Sequence, residues 1–218
     1  MTSIFVTGTD TGVGKTGISV ALIELLQQQG FTVAGMKPIA SGCEKTIDGL
    51  RNGDAVQLMQ QANIGLPYEL INPYAFEPAI APHIAAKQAG IEIDLKVIQQ
   101  HYQQIQQQVD AVVVEGAGGW LVPLNQHQTM ADLAVILDLP VILVVGIRLG
   151  CINHALLTVK AIESTGLKLQ GWIANHPEAS EQTKEIVATL KLHITAPCLG
   201  NIPVLSAKER AVNYLVDL

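Results

Sequence analysis

Short runs of β-branched and other apolar residues alternate along this chain with longer segments of helical periodicity. The apolar runs are SIFVTG, TVAGMKPI, DAVVVEG, PVILVVG, LQGWIAN and LGNIPV. The helical segments cover about residues 14–29, 54–62, 94–108, 129–138, 152–165 and 180–192. Several apolar runs are uninterrupted, as strands are when helices cover both faces of a sheet. The alternation predicts a doubly wound, mostly parallel α/β sheet flanked by helices.

The chain shows neither an internal repeat nor a linker. Its 218 residues are enough for one sizeable core, so we expect a single α/β domain over residues 1–218. The segment from about 63 to 93 contains four prolines and is expected to be an irregular excursion from that domain.

The composition and net charge limit the kinds of partner that the protein is expected to bind. An apolar fraction of 49% with 15% charged residues is typical of a compact folded protein. The net charge of −6 argues against nucleic acid as a partner, because binding a phosphate backbone needs a basic face. No apolar run is long enough to span a bilayer and the amino terminus does not resemble a signal peptide, so we expect a cytoplasmic protein without a membrane partner. The three cysteines form no C-x-x-C pair and are expected to be reduced thiols.

The stretch GTDTGVGKT, residues 8–16, follows the first apolar run and precedes the first helical segment. It ends like a phosphate-binding P-loop, but it is one residue longer than the pattern G-x-x-x-x-G-K-[ST], whose first glycine would fall at Thr9. Its glycines permit the backbone angles that turn N–H groups towards an anion, and the helix that follows adds its positive end. Lys15 and Thr16 suit phosphate and Mg²⁺ respectively. We therefore predict a phosphate site in which the extra residue removes no chemical component.

Other polar residues follow the ends of later apolar runs, where ligands bind in open parallel sheets. They are Lys37, Glu115 and Asn175. Glu115 can face magnesium, although a loop or helix-capping acid would look the same. From sequence alone, Lys37 is equally well a solvated strand-end lysine, and Asn175 suits either a turn or adenine, whose N6 and N7 an amide matches. Asp54 lies where a helix N-cap is expected, and a cap is the interpretation that the sequence favours.

With these residues in place, the sequence closely resembles the dethiobiotin synthetases, the ATP-dependent ligases of biotin synthesis. The matching stretches are FVTGTDTGVGKT, GMKPIASG, NGDA, VVVEGAGGWLVPL, VVGIRLGCINHALLT and GWIAN. They follow the family's order from residue 5 to 175 and so cover most of the chain. The longer loop together with KPIASG and LGCINHALLT is much more specific than a phosphate loop alone.

The resemblance implies a set of site residues. Lys37 is the implied catalytic residue, with Lys15 beside it, and Thr16, Asp54 and Glu115 are implied to surround Mg²⁺. The implied substrate contacts are Thr11, Ser41, Gly150, Cys151 and Asn153, the last three in a loop that reaches the other subunit's substrate in a homodimer. The remaining implied contacts to ATP are Gly12, Val13, Gly14, Gly17, Gly116, Ala117, Gly118, Asn175, His176, Pro203, Val204, Leu205 and Glu209.

The resemblance also implies a reaction, in which 7,8-diaminononanoate, CO₂ or bicarbonate and ATP give dethiobiotin, ADP and phosphate. One amine captures CO₂ as a carbamate, the carbamate attacks the γ-phosphate, and the second amine closes the ring. The chain departs from many relatives at Gly12, where they carry an acidic residue, and the match loosens near Glu209.

Two other classes share this type of nucleotide domain. Dimerising ATPase switches of the partition and cell-division type usually carry KGGxGKT, whose signature lysine corresponds here to Asp10. Glutamine-dependent amide ligases such as cobyrinate amidases need an additional glutaminase domain, for which 218 residues leave no room.

Overall fold

A computed structural model describes residues 3–178 and 183–216. The elements in chain order are β1 (Ile4–Gly8), α1 (Lys15–Gln28), β2 (Val33–Met36), β3 (Ile39–Ser41), β4 (Glu44–Thr46), β5 (Gly49–Arg51), α2 (Gly53–Gln61), α3 (Tyr68–Ile71), β6 (Tyr74–Phe76), α4 (Pro82–Ala89), α5 (Leu95–Gln106), β7 (Ala111–Glu115), α6 (Met130–Leu137), β8 (Val141–Gly146), α7 (Cys151–Glu163), β9 (Leu169–Asn175), α8 (Thr183–His193), β10 (Cys198–Ile202) and a 3₁₀ helix (Ala211–Tyr214).

Among these residues, the central sheet has six parallel strands in the order β10-β9-β8-β1-β7-β2. Alternate residues of each strand face opposite sides. Phe5 of β1 packs in a core with α5, α6 and α7, whereas its neighbours Ile4 and Val6 pack in a second core with α1. Helices therefore cover both faces, which confirms the predicted doubly wound, mostly parallel sheet and explains its uninterrupted apolar strands.

The strand order reverses around β1. After β1 the chain moves outward to β2, whereas after β7 it passes back across β1 to β8. Such a reversal opens a crevice at the carboxyl ends of the strands. Here the crevice lies beside the loop after β1 and the end of β7, the positions of Lys15 and Glu115.

Two sequence-based expectations about the elements were wrong. The run TVAGMKPI is not one strand, because Pro38 has no N–H for the ladder and the Lys37 N–H donates instead to the Ile71 carbonyl at 2.9 Å. The chain then continues as β3, which pairs with β6. The segment 63–93 is not irregular, since it carries α3, β6 and α4, with Pro82 in the first turn of α4, where its missing N–H costs nothing.

The remaining helices agree with the predicted segments within a few residues, and α1 is buried as expected. Residues 180–182 of the last predicted helix lie outside the described residues. All three cysteines are free thiols. Within residues 3–178 and 183–216, every helix is too short or too polar to cross a bilayer.

Candidate active site

The glycine-rich loop joins β1 to α1, and buried Val13 anchors it. A Cβ added at Gly8 or at Gly146 would lie 2.7 or 2.9 Å from the Val13 methyl groups, so two strand-end glycines form the socket for this side chain. Gly12 and Gly14 have φ values of 74° and 87°, which L-residues with side chains rarely adopt. The loop thus depends on glycine both for its backbone angles and for the space around its anchor.

Lys15 begins α1 and points back into the loop. Its ammonium donates to the Asp10 carbonyl at 3.0 Å, and the side chain is buried. Burial and the neighbouring Lys37 lower the pKa of Lys15 to about 8. A lysine held at this pKa gains from an incoming anion, which favours its charged form.

Lys37 lies directly after β2, between two carboxylates. Its Nζ is 2.5 Å from Glu115 Oε1 and 3.1 Å from Asp54 Oδ2, and it also reaches the Gly116 carbonyl at 3.4 Å. Burial lowers the pKa of Lys37, but the charges of Glu115 and Asp54 outweigh this effect, so the net shift is upward. Lys37 is therefore a buried cation in the crevice, which excludes the solvated strand-end lysine that the sequence left open.

Glu115 ends β7 with only 1% of its surface exposed. Oε1 accepts from the Thr16 hydroxyl at 2.9 Å and from Lys37, whereas Oε2 is buried and has no hydrogen-bond partner among residues 3–178 and 183–216. An unpaired carboxylate oxygen at such depth is costly unless a ligand completes it. Oε2 therefore marks a place where a cation fits.

These groups face one cavity of about 660 Å³. It brings together most of the sequence-predicted residues of the phosphate, metal and substrate sites. They are Thr11, Gly12, Gly14, Lys15, Thr16, Lys37, Ser41, Asp54, Glu115, Ala117 and Gly118. A cavity with two buried lysines, two carboxylates and a glycine-rich anion loop is suited to reactions of phosphorylated, negatively charged species.

Comparisons with known proteins agree with this geometry. A family model described as an AAA domain matches residues 2–211. The ATP-dependent dethiobiotin synthetase of Pseudomonas aeruginosa is 49% identical over 100% of this chain and 97% of its own length. The enzyme of the same name from Cellvibrio japonicus is 49% identical over 99% of this chain and 96% of its own. This chain belongs to the dethiobiotin synthetase family. It is accordingly an ATP-dependent ligase with a role in biotin synthesis.

Solved structures show which fold this chain shares with other proteins. The MinD cell division protein of Aquifex aeolicus superimposes with a TM-score of 0.60 over 100% of this chain and 94% of its own, at 17% identity. MinD from Pyrococcus furiosus gives 0.56 over 93% and 84%, at 15% identity. At this low identity the similarities establish the P-loop fold alone. The family assignment rests on the dethiobiotin synthetases of about 49% identity.

Asp10 has a clear structural role at the position where the switch ATPases carry a signature lysine. One carboxylate oxygen accepts from the Thr11 N–H at 2.7 Å, and the other accepts from Arg148 at 2.5 Å. Arg148 belongs to the segment after β8, so this pair connects the phosphate loop with the start of α7. A lysine at residue 10 would repel Arg148.

Asp54 is not the helix cap that the sequence favoured. Asn52 caps α2, because its side-chain oxygen accepts from the N–H groups of Asp54 and Ala55. Asp54 lies in the first turn of the helix with its carboxylate free to meet Lys37. The run Asn-Gly-Asp contains two suitable caps, and only the tertiary contact with Lys37 distinguishes them.

Sequence reasoning missed one wall of the cavity, formed by residues 79–82 at the start of α4 together with Ala40, Asn52 and Val122. The proline-rich composition of this segment predicted a loop but not its position over the crevice. Pro78 and Pro82 were the only hint in the sequence, because prolines restrict the backbone and a rigid segment can form the wall of a cavity.

The residues predicted for the nucleoside lie outside the cavity lining. Asn175 ends β9, and its amide donates to the Val13 carbonyl at 2.8 Å. His176 follows, with its ring 2.6 Å from the Asn201 side chain at the neighbouring strand end. Residues 203–205 continue from β10. Glu209 is exposed, and hydrogen bonds from Ser206 and Tyr214 lower its pKa to about 2.

The residues predicted for a shared substrate site begin α7, away from the cavity. Gly150 is the N-cap with φ 88°, so Asn153 is not a cap and its side chain is exposed. Cys151 is buried, and its N–H already donates to the Arg148 carbonyl at 3.0 Å. Cys151 is therefore poorly placed to offer that N–H to a ligand, and the next two N–H groups are better candidates.

Proposed function

We propose that the protein uses ATP and Mg²⁺ to carboxylate 7,8-diaminononanoate with CO₂ and close it to dethiobiotin, with release of ADP and phosphate. The observation that carries this proposal is the meeting of Lys37, Glu115 and Asp54 with the phosphate loop in one cavity. The family name gives the product, and the charges of the cavity match the anions that the reaction passes through.

The phosphate loop is proposed to hold the ATP phosphates through its backbone N–H groups and Lys15. Lys15 is buried and lies at the first turn of α1, where the helix adds its positive end. Gly12 and Gly14 turn the peptides of the loop, and Gly17 continues the helix without a side chain. Gly116, Ala117 and Gly118 follow Glu115, and Ala117 and Gly118 line the same cavity as the loop.

The donor set fits Mg²⁺. Thr16 supplies a hydroxyl, Asp54 an accessible carboxylate and Glu115 a buried oxygen to which no described residue donates. Within the described residues, no three acidic, histidine or cysteine side chains cluster closely enough to hold a metal by themselves. Mg²⁺ commonly takes one or two carboxylates and completes its shell with water and phosphate. When bound, it would neutralise charge on the β- and γ-phosphates.

Lys37 is proposed to stabilise the carbamate and the phosphoryl group that it attacks. The first amine forms a C–N bond to CO₂ and loses a proton, which gives the carbamate. A carbamate oxygen then displaces ADP from the γ-phosphorus, and the second amine displaces phosphate as it closes the cyclic urea. Two lysines that face these oxygens would stabilise the negative charge that develops in these steps, which is usually the largest single contribution to catalysis.

The rest of the cavity suits the diamine. Ser41 Oγ is buried and has no hydrogen-bond partner in the described part of the chain, which leaves it available to a polar atom of the substrate. Thr11 lines the same cavity. Ala40, Ala79 and Ile80 give the cavity an apolar wall for an aliphatic chain. We propose that the diamine lies between this wall and the phosphate loop.

The nucleoside is proposed to extend along the ends of β9 and β10. The amide of Asn175 retains one N–H and its oxygen for adenine, and His176 lies beside it. Pro203, Val204 and Leu205 would flank the nucleoside, since Val204 and Leu205 are exposed. Glu209 follows that segment and is the outermost residue proposed for ATP.

A homodimer is proposed to complete the substrate site. Leu121, Leu149 and Leu157 are largely exposed near the phosphate loop and α7, with Leu149 101% accessible. Apolar side chains of this size are costly in water, and a second copy would bury them. The segment Gly150 to Asn153 at the start of α7 would then reach the substrate that is bound to the other subunit, and the N–H groups of its last two residues would face the substrate carboxylate.

Phosphate release tests the proposed function. Purified protein with ATP and Mg²⁺ should release phosphate only when both 7,8-diaminononanoate and bicarbonate are present, with one dethiobiotin formed for each phosphate. A switch ATPase would release phosphate without the diamine, and an amide ligase would require glutamine or ammonia. Either result would contradict the proposal.

A further inference from the structure

Asn175 holds one peptide of the phosphate loop from a distant strand. Its side-chain nitrogen lies 2.8 Å from the Val13 carbonyl oxygen. That oxygen can only accept, so the amide group facing it must be the NH₂. The backbone of Asn175 is itself fixed, because its carbonyl accepts from the Ile147 N–H at 2.8 Å. The support is therefore rigid.

The loop is shaped around this amide. A Cβ added at Gly14 would lie 2.2 Å from the Asn175 nitrogen, so the asparagine occupies the place of a side chain at Gly14. Val13 is held from its other end by the socket of Gly8 and Gly146. The peptide that joins Val13 to Gly14 is thus fixed in two ways. Asn175 holds its carbonyl oxygen, and the socket holds the Val13 side chain.

Peptide geometry transmits this restraint to the anion site. In a planar trans peptide, the N–H points opposite to the C=O. Because the Val13 carbonyl points towards Asn175, the Gly14 N–H of the same peptide points away from Asn175. Within the part of the chain that the structure describes, this N–H meets no acceptor. Gly14 itself lines the cavity with Lys15.

We infer that Asn175 is a positioning residue of the phosphate loop, which aims the Gly14 N–H at the nucleotide phosphates before ATP binds. The inference rests on the proposed nucleotide site and deepens it. Since the same amide keeps one N–H and its oxygen for the base, nucleobase and phosphate recognition share one side chain. Loss of the Asn175 side chain should therefore lower the affinity of the loop for phosphates, even for a ligand that has no base.

Tripolyphosphate, which has no base, separates this role from adenine recognition. Calorimetric titration with magnesium tripolyphosphate should show an affinity about 3–10-fold lower for Asn175→Ala than for the wild type, the expected effect of losing one hydrogen bond. Asn175→Asp keeps the size but has no donor at neutral pH, and should lose at least as much. Asn201→Ala, which removes an amide from the next strand end, is the matched control and should bind like the wild type.

Three outcomes decide the inference. Equal tripolyphosphate affinity in the wild type and in both Asn175 variants overturns it and leaves Asn175 as a base contact alone. A wild type that binds neither tripolyphosphate nor ATP overturns the nucleotide site as well. In the ligand-free protein, the ¹H–¹⁵N signal of Gly14 should shift or broaden in Asn175→Ala. An unchanged signal would contradict the restraint, independently of any ligand.

Discussion

Replacing Lys37 with methionine should lower the stability of the ligand-free protein as well as its activity. Methionine fills similar space but leaves Glu115 as a charge without its ammonium partner. The Lys37 and Glu115 side chains are 6% and 1% exposed, so solvent cannot compensate. Breaking a buried pair costs about 3–5 kcal/mol. We expect about 3 kcal/mol, because the Thr16 hydroxyl still donates to Glu115 and because Asp54, 42% exposed, is partly solvated.

Urea unfolding at pH 7 in the presence of EDTA measures this loss. Lys45→Met is the matched control, because Lys45 pairs with Glu77 at the surface, where both side chains are mostly exposed, and should cost under about 1 kcal/mol. The double variant Lys37→Met/Glu115→Gln removes both charges and should recover most of the stability. Mg²⁺ should stabilise Lys37→Met more than the wild type, since it would take the place of the ammonium. A loss for Lys37→Met no larger than that for Lys45→Met would refute the buried-pair argument.

Three further predictions concern the nucleotide, the metal and the dimer. Bound phosphate should raise the pKa of Lys15 from about 8, so ATP binding near pH 8 should take up about half a proton and weaken as the pH rises. Calorimetry in two buffers of different ionisation enthalpy measures this uptake, and its absence, or its persistence in Lys15→Met, would contradict the assignment. Glu115→Gln should weaken Mn²⁺ binding in the presence of ATP at least 10-fold by electron paramagnetic resonance, whereas unchanged binding would exclude Glu115 as a ligand. Leu149→Asp should yield monomers in sedimentation and lower ligase activity by more than 10-fold, and a fully active monomer would exclude the shared site.

The sequence predicts the fold well because its local signals agree with the tertiary structure. Uninterrupted strands such as Val141–Gly146 can only be buried on both faces, and a glycine-rich loop before an apolar helix has few alternative structures. The expectation that the phosphate loop, Lys37 and Glu115 lie at one edge of the sheet follows from one rule, that ligands bind at the carboxyl ends of parallel strands.

The sequence-based predictions fail where two residues suit a local role equally well, or where no local pattern exists, and a contact with a distant part of the chain decides the structure. Asn52 and Asp54 can both cap a helix, and the nearby Lys37 draws Asp54 away from that role. The hydrogen bond between Asn175 and Val13 joins residues 162 positions apart and has no local signal. The wall at residues 79–82 depends on how β3 and β6 pair, which proline content alone does not indicate. The homodimer and the roles of individual site residues stay predictions.

Isotope transfer tests the central claim most directly. The protein is mixed with 7,8-diaminononanoate, ATP, Mg²⁺ and doubly ¹⁸O-labelled CO₂, and the products are analysed by mass spectrometry before the label exchanges with water. Because a carbamate oxygen is proposed to displace ADP, one labelled oxygen should appear in the phosphate and the other in the cyclic urea. Phosphate without label, or ADP formed without the diamine, would contradict the account.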